Sequence, residues 1–544
     1  MRADTSQNES FAVVLIAQIE IMAYSKREIQ KILEIFSLHS EKIHERDENI
    51  TVHAAISRFA FIYEKIRNAV DYKDEHLIRK AAILRILKRL LLLEKDPRVI
   101  AERLIKELIG ARYLPNGVMP QSCIDDVSWR VYKLQLITHV NAGSEAHLDW
   151  IRSMVAVEIE DLLIDTSREK ALVSFLYDKI NESVKVRGAQ MDNSEMQLQI
   201  YLACNRTLNK ADDEILGYKM LRAFLPEWLS PQNWMDNPRP IAERLVAVER
   251  RIKLQLRHPL NLKFQRLIKP WSVALNMMST AILQKPENIN SLLNDSDLLK
   301  HGVAIIADER YKNTKTKVRR ATIRAMIYLF LTKMILALVL EAPVEWLLYA
   351  QVHYRPLLIN LLFPAILMFI VGLFIRVPGP ENTTRIKTAL DELLGENKPE
   401  IRVISVPAKR SAIASLMLTL VYMLTFVVSF GLISMLLEYI SFTWISTLIF
   451  LFFLCLVSFF AFRIRLNARE FFVIEDKVTL RQSIIDFFSI PILRAGRWLS
   501  LSISKINIFL FFFDFIFEAP YKIFLTLLEE WFTFAKEKKD ELQP

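Results

Sequence analysis

Between Ile323 and Phe462 the chain carries four long apolar runs: Ile323 to Leu340, Pro356 to Ile375, Ser411 to Leu437 and Thr443 to Phe462. Each reaches the ~17–25 residues that a helix needs to cross the hydrocarbon core of a bilayer. The third and fourth contain no charged residue, and the short join Glu438 to Phe442 predicts a tight helical hairpin. Upstream, from Phe11 to about Arg320, helical spacing dominates. Ile83, Ile86, Leu87 and Leu90 fall at i, i+3, i+4 and i+7, with Arg85, Lys88 and Arg89 off that face. Breaks fall near Tyr113–Pro120, His139–Glu145 and Pro226–Pro240. The pattern predicts an all-α protein: a large helical cytoplasmic domain, four transmembrane helices, and C-terminal helices lying in the membrane surface.

The C-terminal segment 466–544 is read as interfacial because its apolar run Ile506 to Phe517 is short and contains Asp514. Arg494, Arg497, Trp498, Lys505 and Lys522 surround that run. The rival reading is a fifth span from about Leu499 to Phe517, which would bury Lys505 and Asp514.

Basic residues alternate across the spans. Arg310 to Arg324 holds seven lysines and arginines, Glu341 to Arg355 one, Arg376 to Arg410 seven, Glu438 to Phe442 none, and three follow the fourth span. This places the N-terminal domain, the loop 376–410 and the C-terminus on the cytoplasmic side of a cell (inner) membrane. Arg310, Lys312, Lys315, Lys317, Arg319, Arg320 and Arg324 form a juxtamembrane belt suited to anionic headgroups.

One charge interrupts the spans: Lys333, midway along the first. An intramembrane ion is a functional candidate by default. Glu341 and Glu345 look too far along the same helix to be simple partners. Compensation for Lys333 is expected from Asn360, from the spans' hydroxyls or from Asp514, which also needs a reason to lie in an apolar run. Ser415, Thr419, Tyr422 and Ser429 share roughly one face of the third span, a spacing that usually makes helix–helix contacts.

Self-comparison points to an internal duplication. PRVIAERL (Pro97 to Leu104) returns as PRPIAERL (Pro238 to Leu245), and SKRE at Ser25 returns as TSRE at Thr166. Tyr63 and Tyr201 keep nearly the same offset. A repeated helical unit of roughly 140 residues would give two lobes, 1–142 and 143–320, ahead of the spans at 321–465.

Composition narrows the chemistry. Of 544 residues 52% are apolar and 24% charged, and the net charge is +10. Mean hydropathy is +0.21. Only 11 residues are glycine, which disfavours phosphate-cradling loops. Phe11 to Ile19 is apolar but flanked by Asp4, Glu9 and Glu20, so it reads as a buried helix rather than a secretory signal. Cys123, Cys204 and Cys455 lie too far apart to suggest a disulfide framework. No P-loop, dinucleotide, HExxH or GxSxG motif occurs, so no catalytic residue, metal ligand or cofactor is assigned. Glu41 and His44 make one isolated ExxH. Glu145, His147 and Asp149 alternate at a helix start, where capping is the simpler role. Glu158, Glu160, Asp161 and Asp165 read as a solvated helix face. The basic cluster Arg250, Arg251, Lys253, Arg257, His258, Lys263, Arg266 and Lys269 has few interleaved aromatics, so it reads as a solvated face or second lipid contact and nucleic acid is disfavoured.

YKDEHLIRKAAILRILKRLL (Tyr72 to Leu91) and PLLINLLFPAILMFIVGLFIRVPG (Pro356 to Gly379) resemble stretches of uncharacterised bacterial membrane proteins. The resemblance implies a bacterial inner-membrane setting and carries no activity. The expectation is a non-enzymatic, membrane-anchored helical scaffold whose partners are the bilayer and a protein or second copy of the chain. The alternative is an oligomeric transporter or channel component with a pore formed by the spans.

Overall fold

The computed structural model describes residues 26–37, 49–52, 57, 61, 64–65, 75–140, 144–188, 191–351, 353–395, 400–406, 411–474 and 480–505, with single positions 527, 531, 534 and 538. They divide into two compact units. A helical unit draws on 24–272 and 393–405, and a span unit on 273–392 and 406–511.

The helical unit contains α1 (Lys26–Ser37), α2 (Glu75–Leu93), α3 (Pro97–Gly110), α4 (Ser122–Val140), α5 (Glu145–Leu163), α6 (Ser167–Ile180), α7 (Asn193–Leu208), α8 (Asp213–Phe224) and α9 (Arg239–Leu256). Helix α10 (Asn261–Gln284) begins in it. Local signals set the starts. The Asp96 carboxylate accepts the Arg98 N–H, and Pro97 occupies the first turn of α3, where its missing N–H costs nothing. Ser144 accepts the His147 N–H and starts α5. Helix α5 is the centre, packing against α2, α4 and α8. One apolar core gathers residues from Ile50 to Ile252 and so draws on both halves of the unit.

Two members of the expected solvated acidic face turn inward. Glu158 and Glu160 are buried in α5, whereas Asp165 is exposed. Lys133 donates to both Glu158 oxygens at 2.7 and 2.6 Å, and Trp228 Nε1 donates to the same carboxylate at 2.9 Å. Arg79 pairs with Glu160 at 3.0 Å. A central helix packed from several sides has no solvated face, so its charges need internal partners. Burial lowers the Lys133 pKa against the pull of Glu158. Burial raises that of Glu160 against Arg79.

The loop between the second and third spans contributes to this unit as well. Its strand β2 (Arg402–Ser405) pairs in parallel with β1 (Val184–Arg187), Val184 opposite Arg402 and Arg187 opposite Ser405. Lys179 donates to the Gly395 carbonyl at 2.8 Å and Lys263 to the Ser405 carbonyl at 2.6 Å.

The span unit contains α11 (Ile289–Asn294), α12 (Ser296–Leu336), α13 (Ala342–Tyr349), α14 (Tyr354–Leu373), most of α15 (Pro380–Leu394), α16 (Ala412–Tyr439), α17 (Trp444–Ala468) and α18 (Leu480–Lys505). Among the described residues four helices are long and apolar enough to cross a membrane: α12 with its continuation to Leu348, α14, α16 and α17. Ser411 and Thr443 cap α16 and α17, close to the expected span starts. Helix α17 packs against α12, α14, α16 and α18, while α16 leaves most of its apolar surface exposed.

Scarce glycines mark the closest crossings. A Cβ at Gly372 of α14 would stand 2.3 Å from Thr322 of α12. One at Gly496 of α18 would stand 2.0 Å from the Cys455 carbonyl oxygen of α17. Small residues let helix backbones approach where apolar burial supplies no driving force. Cys455 is near the midpoint of α17, so α18 crosses α17 at that level. Its Arg494 is held there by the Tyr422 hydroxyl, 2.7 Å away.

At one end of the spans a single side chain joins three segments. Asn382 Nδ2 donates to the Tyr311 hydroxyl at 2.9 Å and to the Phe471 carbonyl at 2.8 Å. Its Oδ1 accepts the Val473 N–H at 2.7 Å.

Candidate functional site

The opposite end of the spans holds a sealed polar cluster. Lys333, Glu341, Asn360 and Ser446 are 0% exposed and Glu345 1%. They come from α12, the turn after it, α13, α14 and α17.

The sequence explains how they meet. Pro343 has no N–H, and its ring displaces the carbonyl four residues back. Just before it the helix opens into a π turn, Ala337–Glu341. Such a turn holds an extra residue and underwinds the helix. Eight residues of regular helix separate side chains by about 80° around the axis. Underwinding removes much of that angle, and the long lysine stem spans the remaining rise. Lys333 Nζ therefore stands 3.4 Å from Glu341 Oε2. It also lies 4.4 Å from the centre of the Phe453 ring, a favourable site for a cation.

This corrects the expectation that Glu341 lies too far along the helix to partner Lys333. Asp514 lies outside the described residues, and so does the contact suggested for it.

Glu341 Oε1 accepts Asn360 Nδ2 at 2.5 Å and faces the Ser446 hydroxyl at 3.1 Å. Asn360 Nδ2 also reaches the Ser446 carbonyl at 3.2 Å. Glu345 Oε1 lies 2.6 Å from Ser446 Oγ and 3.0 Å from Thr443 Oγ1. Ala350 ends α13 in the left-handed region, with φ 53°, and turns the chain back over α13. The His353 N–H then donates to Glu345 Oε2 at 3.1 Å. Chemically the cluster pairs one ammonium with two carboxylates and encloses them in amide and hydroxyl groups.

The other sequence candidates separate from this site. Lys315, Lys317, Arg319, Arg320 and Arg324 are exposed along α12. Lys312 is exposed and pairs with Asp308 at 2.7 Å. Arg310 is half-buried, donating to Thr280 at 3.0 Å. His147 is buried against Glu249, while Glu145 and Asp149 hold Arg152. Thus Ser144, rather than the EAHLD acids, caps α5. Within the third-span hydroxyl face, Ser415 and Thr419 are exposed and Ser429 is buried. Glu41 and His44 lie outside the described residues. Among the described residues no group of three histidine, cysteine or acidic side chains has a metal-binding arrangement.

Sequence reading found Lys333 and named Asn360 and the spans' hydroxyls as candidates to compensate it, but set Glu341 and Glu345 aside; Asn360 and Ser446 in fact serve Glu341. The available signal was Pro343, a helix-distorting residue set between the two glutamates.

These features define an all-α protein with, among the described residues, four helices long and apolar enough to cross a bilayer and a buried charge cluster at one end of them. No family model matches the chain, and no curated protein or solved structure matches it.

Proposed function

We propose that this is a non-enzymatic membrane anchor that presents its helical unit at the cytoplasmic face of a bacterial inner membrane, where it docks a protein partner. The observation that carries this reading is the pattern along α12. Exposed cations Lys315, Lys317, Arg319, Arg320 and Arg324 give way to exposed apolar Ile327, Leu331 and Ile335 on the same helix. Such a boundary suits an anionic headgroup layer. Two joins support the orientation. The β1–β2 pairing and the Asn382 bonds favour a topology in which residues before the first span, between the second and third, and after the fourth share one side.

Duplication of a helical unit remains part of the proposal. Ile100, Ala101 and Leu104 of α3 are buried, as are their counterparts Ile241, Ala242 and Leu245 of α9. Both helices also pack on α4.

The test combines flux and docking. The full-length protein should give no ion flux in proteoliposomes. Photoreactive residues in cells at the exposed Leu92, Leu254 and Leu262 should give a discrete adduct at one position or more. Flux, or no adduct at any of the three, overturns the reading. A second reading, a transporter or channel component, is favoured by the Lys333–Glu341–Glu345 cluster, since ionisable groups within spans commonly mark ion pathways.

A further inference from the structure

We propose that the sealed cluster is a proton-binding site: one proton is shared by Glu341 and Glu345 across the hydroxyl of Ser446, and His353 is its point of entry. The proposal is independent of the anchor reading.

The hydrogen count leads to it. Ser446 Oγ lies 2.6 Å from Glu345 Oε1 and 3.1 Å from Glu341 Oε1. A serine hydroxyl carries one hydrogen and two lone pairs. It can donate to one carboxylate only. Toward the other it presents lone pairs against an oxygen that carries only lone pairs itself. A hydrogen on that second carboxyl resolves the conflict: the acid O–H donates to Ser446 Oγ, and Ser446 donates onward to the other carboxylate. Nearby donors are already engaged. Asn360 Nδ2 serves Glu341 and the Ser446 carbonyl, and the His353 N–H serves Glu345.

A second observation concerns Asn360. Its Oδ1 is fully buried with no hydrogen-bond partner among the described residues. The cluster is therefore short of donor hydrogens at two places, and an unsatisfied buried acceptor is costly.

Charge points the same way. Lys333 faces the cluster from α12, Glu341 from the π turn, Glu345 from α13, and His353 from the turn before α14. Helices α14 and α17 contribute the uncharged Asn360, Thr443 and Ser446. The buried members sum to one positive and two negative charges. One added proton makes them neutral, removing an uncompensated charge from a site closed to water. The route is short. His353 Nδ1 lies 3.7 Å from Glu345 Oε2, and its side chain is 37% exposed. The proton comes from bulk water and returns to it; no covalent bond other than O–H or N–H is made or broken.

Infrared spectroscopy of the full-length protein in lipid nanodiscs at neutral pH tests this directly. The spectrum should contain the carbonyl stretch of a protonated carboxylic acid, shifting on transfer to D2O and on 13C-labelling of glutamate. The band should vanish in E341Q and in E345Q separately, because either change leaves Ser446 a single carboxylate to serve. H353Q should slow its deuterium shift while leaving the band in place. If the glutamine variants fail to fold, E341D and E345D, which keep a carboxyl at each position, should each shift the band, and an unshifted band in both overturns the proposal. Absence of the band, a band unmoved by labelled glutamate, or one that survives both substitutions overturns the proposal.

Discussion

Lys333 and Glu341 are eight positions apart and meet at 3.4 Å inside the span unit. The contact depends on one irregular turn. A regular helix would leave both charges buried on different faces.

Removing one partner should therefore be more damaging than removing both. Lys333→Met leaves Glu341 buried without its ammonium, a loss of roughly 3–5 kcal/mol for such a pair. The melting temperature in detergent should fall, and Lys333→Met with Glu341→Gln should recover most of it. Equal melting of the single variant and the wild type would show that the pair contributes nothing.

Asn382 should behave as a structural tie. Asn382→Ala removes bonds to Tyr311, Phe471 and Val473. Each buried group left unsatisfied costs about 1–3 kcal/mol. Limited proteolysis should then cut near Phe471 in the variant before it cuts the wild-type protein there.

Topology can be read by labelling introduced cysteines. An impermeant thiol reagent applied to intact cells should reach position 351 and should not reach position 388. Gln351 and Thr388 are exposed, whereas Asn382 is buried and would stay unlabelled on either side. Labelling at 388 from outside would reverse the orientation.

Glu160 predicts a pH dependence with a defined sign. Burial holds its folded pKa above the ordinary value of 4.5, against the opposing pull of Arg79. A raised folded value means that the native state binds the proton more tightly than the unfolded chain does. The resulting stability is fully present below 4.5 and is lost as pH rises through the folded value. Unfolding profiles of Glu160→Gln should lack this acid-side gain. An unchanged profile would mean that Glu160 titrates alike in both states.

The basic row on α12 should be additive. Replacing Lys315, Lys317 and Arg319 with glutamine should weaken retention of anionic lipid by on the order of 3 kcal/mol, since each cation near the surface contributes about 1 kcal/mol. Native mass spectrometry with mixed lipids reads this directly, and an unaltered lipid count would exclude a headgroup role.

How far the sequence carried is clearest at particular residues. The spans were legible because apolar length is a one-dimensional property, and Ser411 and Thr443 act as caps near where the runs begin. The burial of Glu158 and Glu160 was not legible. Their hydropathy is that of any solvated carboxylate, and only the packing of α2, α4 and α8 around α5 places them inside. The Lys333–Glu341 contact was hidden because periodicity assumes one helical pitch, which Pro343 breaks. Asn382 and β2 gave no signal, since their partners are remote in sequence.

The β1–β2 pairing has a consequence for biogenesis. Val184 waits for Arg402, about 218 residues later and two spans further on. At ~5–20 residues per second, the ribosome needs roughly 10–40 s to supply it. On the membrane-anchor proposal, the first helical hairpin must be threaded into the bilayer during that interval while β1 stands without its strand. The helical unit therefore cannot finish maturing ahead of its own insertion, and a stalled translocon would leave an open edge for chaperones to guard.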